Sequence, residues 1–371
     1  MNSHKLIKLN NVNLDLLRLI PLISKSNSAL SNYNGALSHL VEPRILLAPM
    51  TAKESTMSSM IEGTQATLTE VLKYEAGQNY SGEKKHDIQE IINYRSAMEH
   101  AVTLLNDRPF IHLNMIKEIH AALLDGVRGA NKARGEFRKI QNWIGPPGST
   151  LEAASFVPPA PNEIPDCLDD WEKFVNADYA DILIQLGLIH AQFEIIHPFL
   201  DSNGRLGRIL IPIFLYAKEY LTEPIFYLSE YFEAHRDEYY AKLNGITKDN
   251  DWQSWIEFFL TAVIEQSKTN TVKIKEIMRL YDEMKSVVPE ITRSPHANKI
   301  IDTLFAKPII TTTVFSEYTG ITNKNTASSI LQKLTDEKLL VVIREARGSR
   351  ANMYAFAELI ALIEGEEFIM P

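Results

Sequence analysis

His197-Pro198-Phe199-Leu200-Asp201-Ser202-Asn203-Gly204-Arg205-Leu206-Gly207-Arg208 gathers a titratable base, a hard-cation ligand, a small-residue turn and two guanidinium groups within twelve residues. Its flanks set its local structure. Upstream, Ile182, Leu186, Ile189 and Phe193 recur at the spacing of one buried helix face. Pro198 disfavours helical geometry at the residue before it, so that helix is expected to end near His197. Downstream, Leu206, Ile209, Leu210, Ile213, Phe214 and Ala217 fall on one face of a second helix that begins at about Asn203-Gly204. Pro212 withdraws the N–H that would bond the Arg208 carbonyl, which predicts a local kink. The stretch reads as a loop between two buried helices.

The first N–H groups of a helix have no internal partners and carry partial positive charge, so an anion fits at the start of the second helix. Arg205 and Arg208 are three apart and add full charges on the same side of the first turn. A histidine titrates near neutrality and can take a proton from a hydroxyl nucleophile. An aspartate four residues later can ligate Mg²⁺ together with substrate phosphates. Taken singly, these residues also fit a capped helix with two solvated arginines and a core histidine. Their joint arrangement points instead to transfer of a phosphorus-containing group from a nucleotide.

The stretch resembles the signature of the Fic family, HPFx(D/E)GNGRxxR, at eight of its nine fixed positions, with Ser202 where the family usually has glycine. Serine accepts a left-handed backbone less readily than glycine, although its hydroxyl offers an extra donor. The resemblance implies a mainly α, Fic-fold helical bundle and a protein adenylyltransferase. ATP enters with Mg²⁺, AMP passes to a Ser, Thr or Tyr hydroxyl of a target protein, and pyrophosphate leaves. By the same implication His197 is the base and Asp201 the metal ligand. Ser202, Asn203, Gly204 and Arg205 bind phosphates, and Arg208 holds the γ-phosphate. Self-modification and a homodimer are compatible with this expectation.

Ser58-Ser59-Met60-Ile61-Glu62-Gly63 reads as the end of a polar helix whose left-handed cap is Gly63. A helix dipole disfavours an anion at that end, so Glu62 calls for a cationic partner elsewhere. Ser58, Glu62 and Gly63 resemble the (S/T)xxxE(G/N) inhibitory motif of Fic proteins of the second class, in which the motif precedes the signature. The implied partner of Glu62 is Arg208. A carboxylate already on that guanidinium would leave the triphosphate misplaced for in-line attack. The same implication lets Glu62 assist removal of AMP in some members.

Gly135 to Gly145 alternates bulky and polar residues and reads as a strand or hairpin ended by Pro146-Pro147-Gly148. Its Gly-x-Phe-Arg start resembles the Fic flap, which implies that Gly135, Phe137, Arg138, Ile140 and Trp143 dock the target segment by edge pairing. An aromatic after the signature lines the family's nucleoside pocket, and Tyr240 is the residue expected there.

Elsewhere, residues 1 to about 50 read as short helices, one around Leu14 to Ile23. Amphipathic helices are expected over Asp87 to Leu105 and Leu113 to Leu124, with His120 as a core histidine outside the site. A further helix covers Glu163 to Asn176. Trp252, Trp255, Ile256, Phe259 and Val263 mark an apolar helix extending to about Lys285. Val288-Pro289 and Ser294-Pro295 suggest a linker. Beyond it, helices over 297–305, 312–318 and 323–337 and strands over 339–345 and 352–356 follow an order that resembles a winged helix-turn-helix. Eight Lys and Arg against five Asp and Glu give 295–357 a local charge of +3. Lys324, Lys333, Arg347 and Arg350 could meet DNA phosphates, whereas Glu364, Glu366 and Glu367 would oppose them. A protein-interaction or dimerisation module is the other reading of this part.

The 371 residues suffice for two or three domains, expected at 1–86, 87–287 and 288–371. A net charge of −9 argues against nonspecific nucleic-acid binding by the whole chain. The single cysteine, Cys167, precludes an internal disulfide and fits a reducing compartment. No membrane-length apolar run and no signal-like start is evident, so a cytoplasmic location is expected. Two rival functions remain: a Fic transferase with a donor other than ATP, and a DNA-binding regulator whose Fic domain only senses nucleotide.

Overall fold

The computed structural model describes residues 6–126, 133–145, 150–347 and 351–365. Pro146, Pro147, Gly148, Gly348, Ser349, Arg350, Glu366 and Glu367 lie outside the described residues. In chain order the helices are α1 (Leu16–Ser38), α2 (Pro43–Leu46), α3 (Ala48–Ile61), α4 (Leu68–Glu75), α5 (Gly82–Asp107), α6 (Leu113–Leu123), α7 (Ile164–Asn176) and α8 (Ile182–Ile196). Then follow α9 (Asn203–Ala217), α10 (Ser229–Ala234), α11 (Arg236–Asp249), α12 (Trp252–Thr292), α13 (Ala297–Ala306), α14 (Thr312–Thr319), α15 (Lys324–Asp336) and α16 (Ala357–Glu364). The strands are β1 (Ile309–Thr311), β2 (Val341–Arg344) and β3 (Met353–Ala355). The architecture is mainly α, as expected. No described helix is long and apolar enough to cross a membrane.

The chain divides into two compact units, each assembled from separated segments, so neither coincides with a consecutive stretch such as 1–86 or 288–371. The first unit comprises 1–34, 57–64 and 89–268. Its centre is the pair α8 and α9. The sequence shows one apolar face on α8, yet every α8 residue except Glu194 is buried, including Gln185, His190 and Gln192. Close approach explains how. A Cβ on Gly187 would stand 2.9 Å from Ile256 Cδ1 and 3.1 Å from Phe259 Cδ1, so glycine lets α12 press against the helix. Trp171 and Trp255 donate their indole N–H groups to the Ile189 and Gly187 carbonyls at 3.0 and 2.8 Å. These bonds satisfy the one polar atom of each large ring while the rest adds apolar burial.

Two expectations about helices change. Among the short helices expected in the N-terminal region, the one around Leu14 to Ile23 is part of the long helix α1, and Pro21 lies inside it. Leu19, Leu30 and Tyr33 are buried along it, and that burial outweighs the local breaker. Likewise α12 does not stop at the expected linker but continues through Pro289 to Thr292. A proline inside a helix costs about 3 kcal/mol. Ile274, Ile277, Leu280, Met284 and Val288 are all buried along α12, and each contributes roughly 1.5–3 kcal/mol, so packing wins. The break comes at Arg293, whose φ is 49°, beside the Ser294-Pro295 half of the expected linker.

The second unit comprises 35–56, 65–88 and 269–371. Within it α13, α14 and α15 and the two expected strands form in the expected order. A third strand, β1, escapes sequence reading because three residues are too few to show a period of two. The sheet has the order β1-β3-β2 and is antiparallel, with Ile309 opposite Ala355 and Val341 also opposite Ala355. Gly320, at φ 75°, caps α14, and the Asn323 side chain accepts the Asn325 and Thr326 N–H groups to start α15.

Candidate functional site

All the site residues lie within the first unit. As expected, α8 ends at Ile196 and α9 begins at Asn203. His197 caps α8 in the left-handed region, with φ 48° and ψ 59°. Ser202 also adopts it, with φ 60° and ψ 16°, which explains why the family favours glycine there. The serine hydroxyl acts as an acceptor rather than the expected donor, taking the Arg205 Nη2–H at 2.7 Å. Asn203 closes the turn: its Oδ1 accepts the Phe199 N–H and its Nδ2 donates to the Phe199 carbonyl, both at 2.9 Å. The Asn203 side chain is therefore committed to the loop and shapes the helix start, which leaves its backbone as the part that could meet a phosphate.

Neither arginine is a solvated surface group. Arg208 is 2% exposed and sits beneath the N-terminus of α9. Its Nε donates to Ser58 Oγ at 2.8 Å, its Nη2 to the Ser58 carbonyl at 2.9 Å and to Glu62 Oε1 at 2.6 Å. Glu62 thus finds the cation its position requires, and Arg236 donates to the Ile61 carbonyl at 2.6 Å to finish the same helix end. Glu62 Oε1 also lies where an anion would bind: a Cβ on Gly204 would stand 2.2 Å from it. Burial raises the Glu62 carboxyl, but Arg208, aided by Arg205 and His197, outweighs it and holds the group below its ordinary value. Arg205 is paired with Glu90, Nη1 to Oε2 at 3.2 Å, and Thr64 Oγ1 donates to the same oxygen at 3.3 Å. Glu90 was invisible in sequence because it looks like an ordinary polar position on the amphipathic helix α5.

His197 Nδ1 lies 3.3 Å from the Glu194 carbonyl, an acceptor only, so Nδ1 carries the proton and Nε2 is left with a lone pair. Burial pushes the imidazole down to about 4, only partly offset by the Glu194 carbonyl and the Glu62 and Asp201 carboxylates. At neutral pH the ring is a free base. Asp201 Oδ1 accepts the Ser202 N–H at 2.7 Å, and the side chain is 31% exposed. Among the described residues no three His, Cys, Asp or Glu side chains gather as a metal cage. One partly exposed carboxylate beside an anion site fits Mg²⁺, which keeps waters and shares its coordination with substrate phosphates.

Two histidines brace this loop from behind. His120 is fully buried, stacked on Phe199 with centroids 3.8 Å apart; Nδ1 accepts the Gly135 N–H at 3.0 Å and Nε2 donates to the Asp201 carbonyl at 3.2 Å. The sequence reading left it in the core, and there it orients the Asp201 loop. His190 donates through Nδ1 to the Gly207 carbonyl at 3.2 Å and accepts the Tyr239 hydroxyl at 3.0 Å. Cys167 stays inert, its thiol pushed up to about 11 by burial and three nearby carboxylates.

The expected flap differs in form. Residues 135–145 form turns and bends without a regular strand, and among the described residues their strand-like pairing is the single bridge Ile144 to Phe156, not a hairpin. The backbone is tied to the signature loop, the Arg138 N–H donating to the Pro198 carbonyl at 2.9 Å. The Arg138 side chain is buried: Nε donates to the His197 carbonyl at 2.9 Å and Nη2 to the Pro159 carbonyl at 2.6 Å. The side chain caps the carbonyl end of α8, so any docking by Arg138 would not run through its guanidinium. Phe137 packs on Phe199 at 5.1 Å, and Gly135, at φ 73°, closes on Lys117 and Ala121 where a Cβ would crowd. Ile140 and Trp143 are the exposed members, at 63% and 42%.

Beside the loop opens a cavity of about 400 Å³, walled by Ile144, Phe156, Leu243, Tyr240, Asn244 and Glu194 among others. Tyr240, the residue expected at a nucleoside pocket, is part of this wall. Glu194 was missed, since a lone glutamate in an apolar helix carries no motif.

Three comparisons bear on this geometry. The chain matches the family descriptions Fic/DOC family N-terminal over residues 20–103 and Fic/DOC family over 110–215, together more than half of it. It is 28% identical over 206 residues to a protein named protein adenylyltransferase Fic from Aedes aegypti, covering 53% of this chain and 37% of that protein. A protein of the same name from Drosophila yakuba is 26% identical over 254 residues, covering 66% and 46%. The chain thus spans less than half the length of these relatives. Its fold is similar to the crystal structure of a Fic family protein from Desulfovibrio desulfuricans G20, with a TM-score of 0.54, 16% identity, and coverage of 96% of this chain and 98% of that one. With the signature loop seated between two buried helices and both family descriptions matched around it, the chain belongs to the Fic/DOC family.

Proposed function

We propose that the chain is a protein adenylyltransferase restrained by its own Glu62. One observation carries this reading: the Glu62 carboxylate occupies the anion position over α9, paired with Arg208 at 2.6 Å, in the same site as a neutral His197 whose Nε2 is unprotonated. A protein that stores a carboxylate where an anion binds has a built-in competitor for a phosphate ligand. The relatives' shared name supports the same activity.

In the proposed reaction the cavity beside Tyr240 receives the nucleoside, and the α9 N-terminus with Arg205 and Arg208 receives the phosphates. Asp201 would hold Mg²⁺, which supplies charge neutralisation on the phosphates when bound. His197 Nε2 removes the proton of a target hydroxyl. The oxygen attacks the α-phosphorus as the bond to the pyrophosphate oxygen breaks, so the target gains AMP and pyrophosphate carries away the electron pair. Exposed Ile140 and Trp143 offer apolar contact for the target segment.

The test is mass spectrometry of the Glu62→Gly chain after incubation with Mg·ATP and, separately, other nucleoside triphosphates. A mass increase of one AMP on the chain or an added protein, lost in the Glu62→Gly, His197→Ala double variant, is the expected result. Transfer from a non-ATP donor alone, or none at all, would refute it.

A further inference from the structure

The cavity beside the signature loop is lined by a carboxyl group that the proposed chemistry leaves unused. Glu194 lies one turn before His197 on α8 and reaches across to α9. Its Oε1 packs so closely on Gly207 that a Cβ there would stand 2.3 Å away, so glycine at that position makes room for the carboxyl. Oε1 is shielded from solvent and has no hydrogen-bond partner. Folding does not recover the cost of such an atom, and buried polar atoms left unpaired are few. The carboxyl lines the cavity together with Tyr240 and Asn244 and the apolar Ile144, Phe156 and Leu243. Apolar walls with a few convergent polar groups are the ordinary form of a small-molecule site.

We propose that Glu194 is a specificity-determining residue for the nucleotide, making a paired donor and acceptor contact to the nucleoside that fills this cavity; this rests on the adenylyltransferase reading. Burial raises the Glu194 carboxyl to about 8, with Arg208 opposing the rise and Glu62 adding to it. At neutral pH the group therefore carries both an O–H donor and a C=O acceptor, and because Oε1 lodges against Gly207 the paired contact requires the carboxyl to turn toward the cavity. The tyrosines beside it, Tyr239 and Tyr240, are also raised by burial, Tyr240 to about 12, and remain protonated with it. Two parts of ATP offer the complementary pair: the amino and ring-nitrogen edge of adenine, and the ribose diol.

The experiment uses the Glu62→Gly chain with Glu194, Glu194→Gln or Glu194→Leu, titrated calorimetrically with ATP, 2′-deoxy-ATP, inosine triphosphate and inorganic tripolyphosphate. Glu194→Leu should weaken ATP roughly tenfold or more while leaving tripolyphosphate unchanged. The Leu change should leave unaffected whichever analogue already lacks the contacted group, which separates base from ribose. Glu194→Gln, neutral at every pH, should keep the ATP affinity that the protonated Glu194 gives and remove the decline expected for Glu194 as pH rises. Unchanged ATP binding in Glu194→Leu, an equal loss for tripolyphosphate, or an identical pH decline in Glu194→Gln overturns the proposal and leaves the adenylyltransferase reading standing. A Glu62→Gly chain that binds no nucleotide removes both.

Discussion

Replacing Glu62 with glycine removes one charge-assisted hydrogen bond, 2.6 Å long, from a guanidinium that is 2% exposed. A hydrogen bond to a charged group contributes about 1.5–3 kcal/mol net, and Glu62 is itself 36% exposed, so solvent screening favours the lower end. The carboxylate and a phosphate oxygen cannot share the space above Gly204, so on the proposed reading ATP displaces this bond when it binds. At about 1.4 kcal/mol per tenfold, Glu62→Gly should tighten Mg·ATP roughly 10-fold, and up to about 150-fold if screening is weak. The unliganded variant should melt lower, because Arg208 keeps only Ser58, and Mg·ATP at about 100 times Kd should restore about 2.7 kcal/mol. Calorimetry and thermal denaturation measure both. The sign with pH follows from the lowered carboxyl: the Glu62 contribution is present above the ordinary glutamate value and disappears as pH falls through the lowered one. Equal Kd values for Glu62 and Glu62→Gly, with Arg208 intact, would refute the competition.

Three further outcomes follow from the geometry. His197→Ala should reduce transfer by at least about 10²-fold, and in the Glu62→Gly chain the acid limb of kcat/KM should lie near the depressed imidazole value of about 4; a limb at 6.5 would refute its burial. Arg138→Met leaves the His197 and Pro159 carbonyls unpaired and should cost about 2–4 kcal/mol in denaturant melts, whereas an effect on target KM alone would restore a docking role. Ser202→Gly relieves about 1–2 kcal/mol of left-handed strain but loses the bond to Arg205, worth about 1.5–3, so a small loss of stability is expected and a clear gain would refute the value of that bond.

The positions that sequence reasoning placed well are those whose chemistry is local. Pro198 ends α8 and the Asn203-Gly204 pair starts α9 because φ/ψ preferences act within one or two residues. The Glu62 to Arg208 pairing, across 146 positions, came from the motif, with local physics supplying only the demand for a cation. Reading failed where packing overrides local preference. Pro289 should break α12, and five buried apolar residues keep it intact. Alternation over 135–145 resembles a strand, but the Arg138 N–H bonds the signature loop and the Arg138 side chain turns inward.

The sequence by itself determined the loop between two helices and singled out His197, Asp201, the two arginines and the Ser58-to-Gly63 motif, because each is a residue type at fixed short spacing. Only the tertiary structure decided which groups face one another. It put Glu62 Oε1 at the Gly204 position, set Glu90 on Arg205, spent both ends of the Asn203 amide on Phe199 and left Glu194 unpaired against Gly207. The physical reason is that burial and pairing are properties of neighbours brought together by packing, and a single polar residue on an apolar helix carries no local sign of which neighbour it will meet.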